Sequence, residues 1–599
     1  ALYFNTTGNY NTAIGPNSLE KNTYGDYNVA MGYQSLFNNL GGAANVAIGT
    51  LALKNSVSGF YNCAIGGESM QNNVDGDLNT ALGFGSLFTN IDGDANVAVG
   101  SYSLYNSIGD QNSAVGYYSL HENTTGENNT AFGYSALASN TIAGFNTAVG
   151  SSALGNSVTG TRNTAIGSDA QTSNQGGDDN VAVGHASLGS NVSGDMNTAV
   201  GSQALNANTG DDNSALGFSA LNQNTIGIRN TAVGSLALAA NTTADFNTAV
   251  GYGALNENIS GSLNTAIGHQ CMVYSASGES NTGVGALALG QNSLGNGNVA
   301  VGKSALEVNT EGNYNVAVGY QALNSAFTAN HNTAIGGDAL QSNNSGTSNS
   351  SLGYASLIAN IHGNLNTAVG MNSGSTNETG SFNTFLGAHT DVNTTNLSKA
   401  TVIGYGATAG IDNCMILGGI GTNQVKVGIG TTAPDTDFNI KQDDVTGNER
   451  GIKLERQDND DDWRLFIGGG SDLGLAFNNV TIGAFDSGTG NYVPSSDVRL
   501  KKDIEPLAGV LPKIMQLQPK SYRFIADANQ RNTFGFIAQE VEPLFPEIVS
   551  EREDGIKGLA YDEFSVLAIQ AIKEQQAIIE QQQVMINNLL QRVQVLEQE

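Results

Sequence analysis

The run Ser495-Ser496-Asp497-Val498-Arg499-Leu500-Lys501-Lys502 sets a hydroxyl and an ammonium five residues apart. A serine hydroxyl is a weak nucleophile until a base takes its proton. A lysine serves as that base when desolvation or a nearby cation lowers its pKa. Arg499 and Lys502 flank Lys501 and are candidates for that cation. All six histidines (His121, His185, His269, His331, His362 and His389) precede this region, which leaves lysine as the credible base. Attack of the Ser496 hydroxyl on the Ser495 carbonyl gives an ester by an N-to-O shift, which water then hydrolyses. The same residues also read as a helix start, with Ser496 or Asp497 as cap, a helix beginning near Val498 and Lys501 as a solvated charge.

Other residues with chemical potential fall away. Cys63, Cys271 and Cys414 are far apart and include no CxxC, which excludes a disulfide framework and a zinc cluster. His185 and His269 share a repeat phase but lie five coils apart, roughly 24 Å at the spacing of stacked strands, too far for one metal. Gly418-Gly-Ile-Gly421 lacks the Lys-Ser/Thr of a phosphate-binding loop. No cofactor and no metal is expected.

The elements that must position Ser496 and Lys501 follow a long repeat. Gly is 77 of 599 residues, about twice the usual share, and charged residues are 13%, about half the usual share. The unit Asn-(Thr/Val/Ser)-Ala-(Val/Ile/Leu)-Gly-x-x-(Ala/Ser)-Leu recurs on anchor glycines from Gly15 to Gly404. The interval is seventeen in 21 of 23 cases and sixteen in the other two. In both short intervals the second glycine of the coil, Gly109 or Gly210, arrives one residue early. Seventeen residues are too few for a helix pair, and a short β run between Asn and Gly turn signals predicts one coil of a β-solenoid. Asn and Gly are expected at the positive-φ corners. Stacking at about 4.8 Å gives a rod of roughly 110 Å.

Each coil offers about two large apolar side chains, as in Val149 and Leu154, worth roughly 3 to 6 kcal/mol on burial. Ordering seventeen backbone units costs roughly 17 to 34 kcal/mol. Ladder hydrogen bonds recover part of the difference, at about 0.5 to 1.5 kcal/mol each. Several chains packing their apolar faces together is the expected remedy. With Lys+Arg 23 against Asp+Glu 53, the net charge of -30 repels nucleic acid. No stretch approaches 18 consecutive apolar residues, so no membrane insertion is expected. The first residue is Ala1 rather than Met, and any signal peptide or anchor is expected upstream of it.

The repeat motif resembles the head repeats of trimeric autotransporter adhesins over roughly residues 5 to 418, which implies parallel β-rolls about a threefold axis. The 17-residue period departs from the shorter coils of those heads; only the interval from Gly404 to Gly418 is 14. Beyond it the charge pattern changes, with six Lys/Arg up to residue 418 and 17 after it. Residues 419–494 alternate as β-strands do, at Val425–Pro434, Asp437–Lys441, Ile452–Arg456 and Trp463–Ile467, and read as a β-rich neck. Ser496-Asp-Val-Arg-Leu-Lys501, with Gly535-Phe-Ile-Ala-Gln-Glu-Val541, Phe545-Pro-Glu547 and Tyr561, is similar to the C-terminal intramolecular chaperone autopeptidase of endosialidase-type phage tail spikes and fibres. The resemblance implies a domain that folds as a trimer, templates the preceding fibre and cuts itself off before the motif serine. Carried over, Ser496 is the nucleophile, Lys501 the base and Ser495–Ser496 the cleavage site. Ile572, Ile579, Ile586 and Val593 recur every seven residues, with Ala568, Gln575, Gln582, Leu589 and Leu596 in the companion phase, the seam of a coiled coil.

The expected fold is therefore mainly β. A solenoid shaft (1–418) is followed by a β-rich neck (419–494), an α+β chaperone/autopeptidase domain (495–565) and a trimeric coiled coil (566–599). The function expected is a homotrimeric fibre or adhesin shaft, extracellular or on a virion or injection machine, touching a cell-surface glycan or receptor. The catalysis expected is at most a single-turnover Ser/Lys self-cleavage before Ser496. A glycan-degrading spike needs an inserted domain with clustered carboxylates, for which the coils leave no room. A cell-surface trimeric adhesin without catalysis is the other alternative. An ice-binding array needs one uniform Thr phase, whereas this phase mixes Thr, Val, Ser and Cys.

Overall fold

The computed structural model describes residues 1–419, 425–429, 431–440, 452–455, 462–467, 472–478, 480–525, 531–552 and 554–598. The chain forms two compact units, Ala1–Asn439 and Ile440–Glu599. In the first, three-residue strands from Thr12–Ile14 to Met415–Leu417 pair in parallel into one 25-stranded sheet, one strand per coil. The chain is mainly β, and its solenoid turns once every seventeen residues, as the contact of Asn45 with Asn28 records. The register steps by one coil throughout, as in Thr147 against Thr164. At the two short coils, Val97 still faces Ser113 and Thr198 still faces Ser214, so the missing residue is absorbed in the turn. The last step sets Thr401 against Met415 and closes the sheet with a shorter coil, of the length that also separates Ser398 from its partner Asp412.

The coil beginning at Asn28 shows how the motif builds its interior. Strand alternation turns Ala30 inward and leaves Val29 and Met31 on the outer face. Ser35 and Leu36 are buried after the corner at Gly32, whose φ is +138° and whose added Cβ would run into the carbonyl of Gly49. Leu36 itself sits at φ +49°, with Gln34 and Ala44 also left-handed. This corrects the expected corners: the anchor glycines take positive φ, but the motif asparagines do not, and the core leucines do. The left-handed region costs an L-residue roughly 1–2 kcal/mol. Bonds to adjacent coils offset that cost, because Leu36 N–H donates to Ala52 O at 3.0 Å and Ala44 N–H to Asp26 O at 2.9 Å.

The asparagines are interior rungs. Asn28 is buried; its Nδ2 donates across the coil to Gly42 O at 2.8 Å, and its Oδ1 accepts from the backbone N–H of Asn45 in the next coil at 3.0 Å. A second buried ladder runs through Asn22 and Asn39, where Asn39 Nδ2 donates to Asn22 Oδ1 at 2.6 Å and to Gly42 O at 2.9 Å. These bonds offset the desolvation of the buried Asn28 and Asn39 amides. Where Ser56 interrupts this ladder, Asn39 Oδ1 and Ser56 Oγ are left without a protein partner. The same happens at Asn140 with Ser157 and at Asn258 with Ser275. Ser56→Asn is expected to restore the missing rung and raise stability by about 1 kcal/mol, read as a higher unfolding midpoint. An unchanged or lower midpoint would mean the site cannot accept the amide.

Val149 is the second correction. Leu154 is fully buried, but Val149 lies on the outer face because Ala148 takes the inward position. The third strand residue is apolar in every strand of the sheet, from Ile14 through Val149 to Leu417, and is buried in none of them. A continuous apolar ladder, aliphatic but for Met31 and Phe132, therefore runs along the outside of the sheet. Cys63 lies on the same face, whereas Cys271 is interior and burial pushes its thiol up to about 12.

In the second unit, Ile452–Glu455, Asp462–Ile467, Leu473–Phe477, Val480–Phe485 and Tyr492–Pro494 form a five-stranded antiparallel sheet. Trp463 packs on Phe477, with ring centroids 5.1 Å apart. Two hairpins follow, Lys520–Tyr522 with Thr533–Gly535 and Val549–Glu551 with Lys557–Leu559. Short helices α1 (Leu511–Ile514) and α2 (Ala538–Val541) and the long helix α3 (Phe564–Leu596) complete the unit. Val510, Val541, Phe545, Ile548, Leu567 and Ala571 make its small core. Glu574 of α3 accepts from Leu511 N–H at 2.8 Å and Val510 N–H at 3.1 Å, so these bonds hold its carboxyl below the usual range. Of the Gly-rich stretch at 418–421, residues 420 and 421 lie outside the described residues, as do Lys441 and Arg456 of the expected strands.

Candidate functional site

The Tyr492–Pro494 strand ends the antiparallel sheet, and its pairing carries one residue further: Ser495 N–H donates to Ile482 O at 2.7 Å. The residue whose carbonyl precedes Ser496 is thus anchored to the sheet. A 3-10 turn, Val498–Leu500, begins shortly after it. Asp497 caps this turn by accepting from Arg499 N–H at 2.8 Å. The turn folds Lys501 back, so that its Nζ lies 2.8 Å from Ser496 Oγ. The hydroxyl and the amine expected to act as nucleophile and base are therefore within hydrogen-bond reach in a single chain, and the cap expected as an alternative is formed as well, by Asp497.

Arg499 is placed differently from its expected role as a cation beside Lys501. Its Nε and Nη2 bond the Asp497 carboxylate at 2.9 and 2.6 Å. That pairing lowers the Asp497 pKa and raises that of Arg499. The guanidinium charge is spent on holding the turn. Ser496, Lys501 and Lys502 are all exposed, and so are Val498, Leu500, Ile504 and Leu507 in the same stretch of chain. The exposure of four apolar residues in the stretch that holds Lys501 is the feature that sequence reasoning missed, although their spacing was visible.

The distant motif Gly535–Val541 serves the fold. Ala538 and Val541 are buried, Glu540 pairs with Lys520 at 2.8 Å, and Tyr561 Oη accepts from Phe536 N–H at 2.8 Å. Phe536 also stacks on Phe564 of α3, with centroids 5.0 Å apart. Lys557 is bound between Glu542 and Glu551, and the Glu542 bond raises its pKa. Beyond the core contacts of Leu567 and Ala571, α3 presents its apolar residues to solvent, with Ile572 64% and Leu589 59% exposed. Among the described residues, no cluster of three or more His, Cys, Asp or Glu is arranged to hold a metal, and no helix is long and apolar enough to cross a membrane.

Residues 496–550 match the family model described as chaperone of endosialidase. A long β-solenoid followed by this match fits a phage tail-fibre or tail-spike type protein with a C-terminal chaperone domain. The match begins at Ser496, the residue that the Lys501 ammonium touches. No curated protein and no solved structure matches the chain.

Proposed function

We propose that this chain is an extracellular or virion-borne attachment fibre, assembled as a parallel homotrimer by its C-terminal domain and released from that domain by one self-cleavage. The observation that carries the reading is the uninterrupted apolar ladder on the outer face of the sheet, which a lone chain leaves in water. Three copies packing these ladders together bury it. The exposed a/d seam of α3 supports the same assembly from the other end. The family match supports it independently. The chain divides on this reading into shaft 1–418, neck 419–494, chaperone 495–565 and coiled coil 566–599.

Cleavage follows from the same assembly. In one chain Lys501 is exposed to water; a neighbouring copy seated on the exposed Val498 and Leu500 of the same turn excludes that water and favours the neutral amine. The amine takes the Ser496 Oγ proton, and Oγ bonds the Ser495 carbonyl carbon. The Ser495–Ser496 C–N bond breaks as the nitrogen takes a proton. Water then cleaves the ester to a Ser495 carboxylate and a free Ser496 hydroxyl.

The test of the trimer is sedimentation of purified protein, expected at the mass of three copies of the 61.8 kDa chain, less any released fragment. Val233→Lys with Val250→Lys places two ammonium groups on the outer ladder, where a single chain tolerates them. It is expected to cut the yield of soluble trimer at least about tenfold, since buried unpaired charge costs several kcal/mol. A wild-type shaft that sediments as a folded monomer would sink the reading.

A further inference from the structure

The coils between Gly83 and Gly133 carry a dense aromatic surface that the shaft's own stacking does not require. Phe88, Tyr105 and His121 stack in a column up three successive coils, with centroids 4.9 and 5.3 Å apart and ring planes within 4° and 7°. Tyr102 stands edge-on to Phe84 and Tyr117, at 79° and 87°. Phe84, Tyr117 and Tyr134 each follow an anchor glycine directly, off the strands and their apolar ladder, and are 45%, 46% and 59% exposed. Tyr117 and Tyr134 lie nearly parallel, with centroids 5.8 Å apart.

From this juxtaposition of half-exposed rings on a rigid column we infer that residues 84–134 form a binding platform for an uncharged glycan. The inference rests on the reading of the shaft as an attachment fibre and names the ligand class and the place. An aromatic face is negative and attracts the weakly positive C–H face of a pyranose ring. The column fixes the rings before binding, so little rotamer freedom is lost. Burial, aided by the Glu68 carboxylate, pushes the Tyr105 phenol above its ordinary range, which keeps it a neutral hydrogen-bond donor. Charge selects the ligand: no Lys or Arg occurs between Lys54 and Arg162, while Glu68, Asp92, Asp94, Asp110 and Glu122 lie in or beside these coils. Sialylated, sulfated or phosphorylated glycans and nucleic acids are repelled. Three to four coils at about 4.8 Å each give a track the length of a short oligosaccharide, repeated on each copy of a trimer for avidity.

The experiment uses the full chain and three uncharged probes, cellohexaose, maltohexaose and chitohexaose, with heparin as the anionic control. Binding is read by saturation-transfer NMR and by tyrosine fluorescence. At least one uncharged hexasaccharide is expected to bind saturably and heparin not at all. Tyr117→Ala with Tyr134→Ala is expected to weaken binding at least about tenfold with an unchanged unfolding midpoint, while Tyr320→Ala with Tyr354→Ala, exposed rings elsewhere in the same phase, leaves it unchanged. Binding that survives Tyr117→Ala with Tyr134→Ala, or no saturable binding of any probe, overturns the platform. Adhesion of the whole fibre to cells separates the two readings. Adhesion that persists without oligosaccharide binding, or is lost on protease treatment of the cells, removes the platform and keeps the attachment fibre; no adhesion at all removes both.

Discussion

Ser496→Ala is expected to leave the Ser495–Ser496 bond intact, where the unaltered protein is expected to yield a fragment beginning at Ser496. The substitution removes the Oγ that lies 2.8 Å from Lys501 Nζ, and no other hydroxyl is placed to replace it at that ammonium among the described residues. Lys501→Ala is expected to slow cleavage by at least about a hundredfold, the usual worth of a positioned general base. Neither change touches the Val510–Ala571 core or the α3 seam, so both variants are expected to assemble. Intact mass after denaturation is the decisive readout, because a native measurement does not separate a cut chain whose pieces stay together from an uncut one. A fragment with a different first residue, or full cleavage in Lys501→Ala, removes the pair from its proposed role. A wild-type chain that stays whole after assembly leaves the chaperone and retires the peptidase.

Residues 1–494 produced alone are expected to give insoluble or misregistered material, with the yield of uniform trimeric rods reduced at least about tenfold. The physical reason is in the outer ladder. Its third strand position is apolar in every coil, so sliding one chain along another by one full coil preserves nearly every contact. Nothing within the repeats selects the correct alignment, and the first docking of three chains is costly. The C-terminal unit has what the shaft lacks: a non-repeating core and a helix whose seam is marked by Gln575 and Gln582. Electron microscopy of the truncated chain and of the protein expressed at full length compares the two. Uniform rods from residues 1–494 would remove the need for a template.

The regular spacing of the anchor glycines was sufficient by itself to set the solenoid, its coil number and the register of the sheet. A period survives in sequence because every coil must repeat the same contacts with the next. Ser496 and Lys501 were singled out through the resemblance to the chaperone autopeptidase, and it is the 3-10 turn of the folded chain that brings the two groups to 2.8 Å. What faces inward was not legible. Asn28 and Asn39 carry the composition of turn residues, yet they are buried rungs, because only a stacked coil supplies Asn22 Oδ1, Gly42 O and the Asn45 N–H as partners. The leucines at φ near +50° were equally hidden, since cross-coil hydrogen bonds override the local cost of that conformation. Val149 and Leu154 look alike as aliphatic residues five apart. Which of them fills the core and which faces outward depends on Ala148 taking the inward side of a three-residue strand. Arg499 was equally open, and the tertiary structure spent its charge on Asp497, because the 3-10 turn brings that carboxylate within hydrogen-bond reach of the guanidinium.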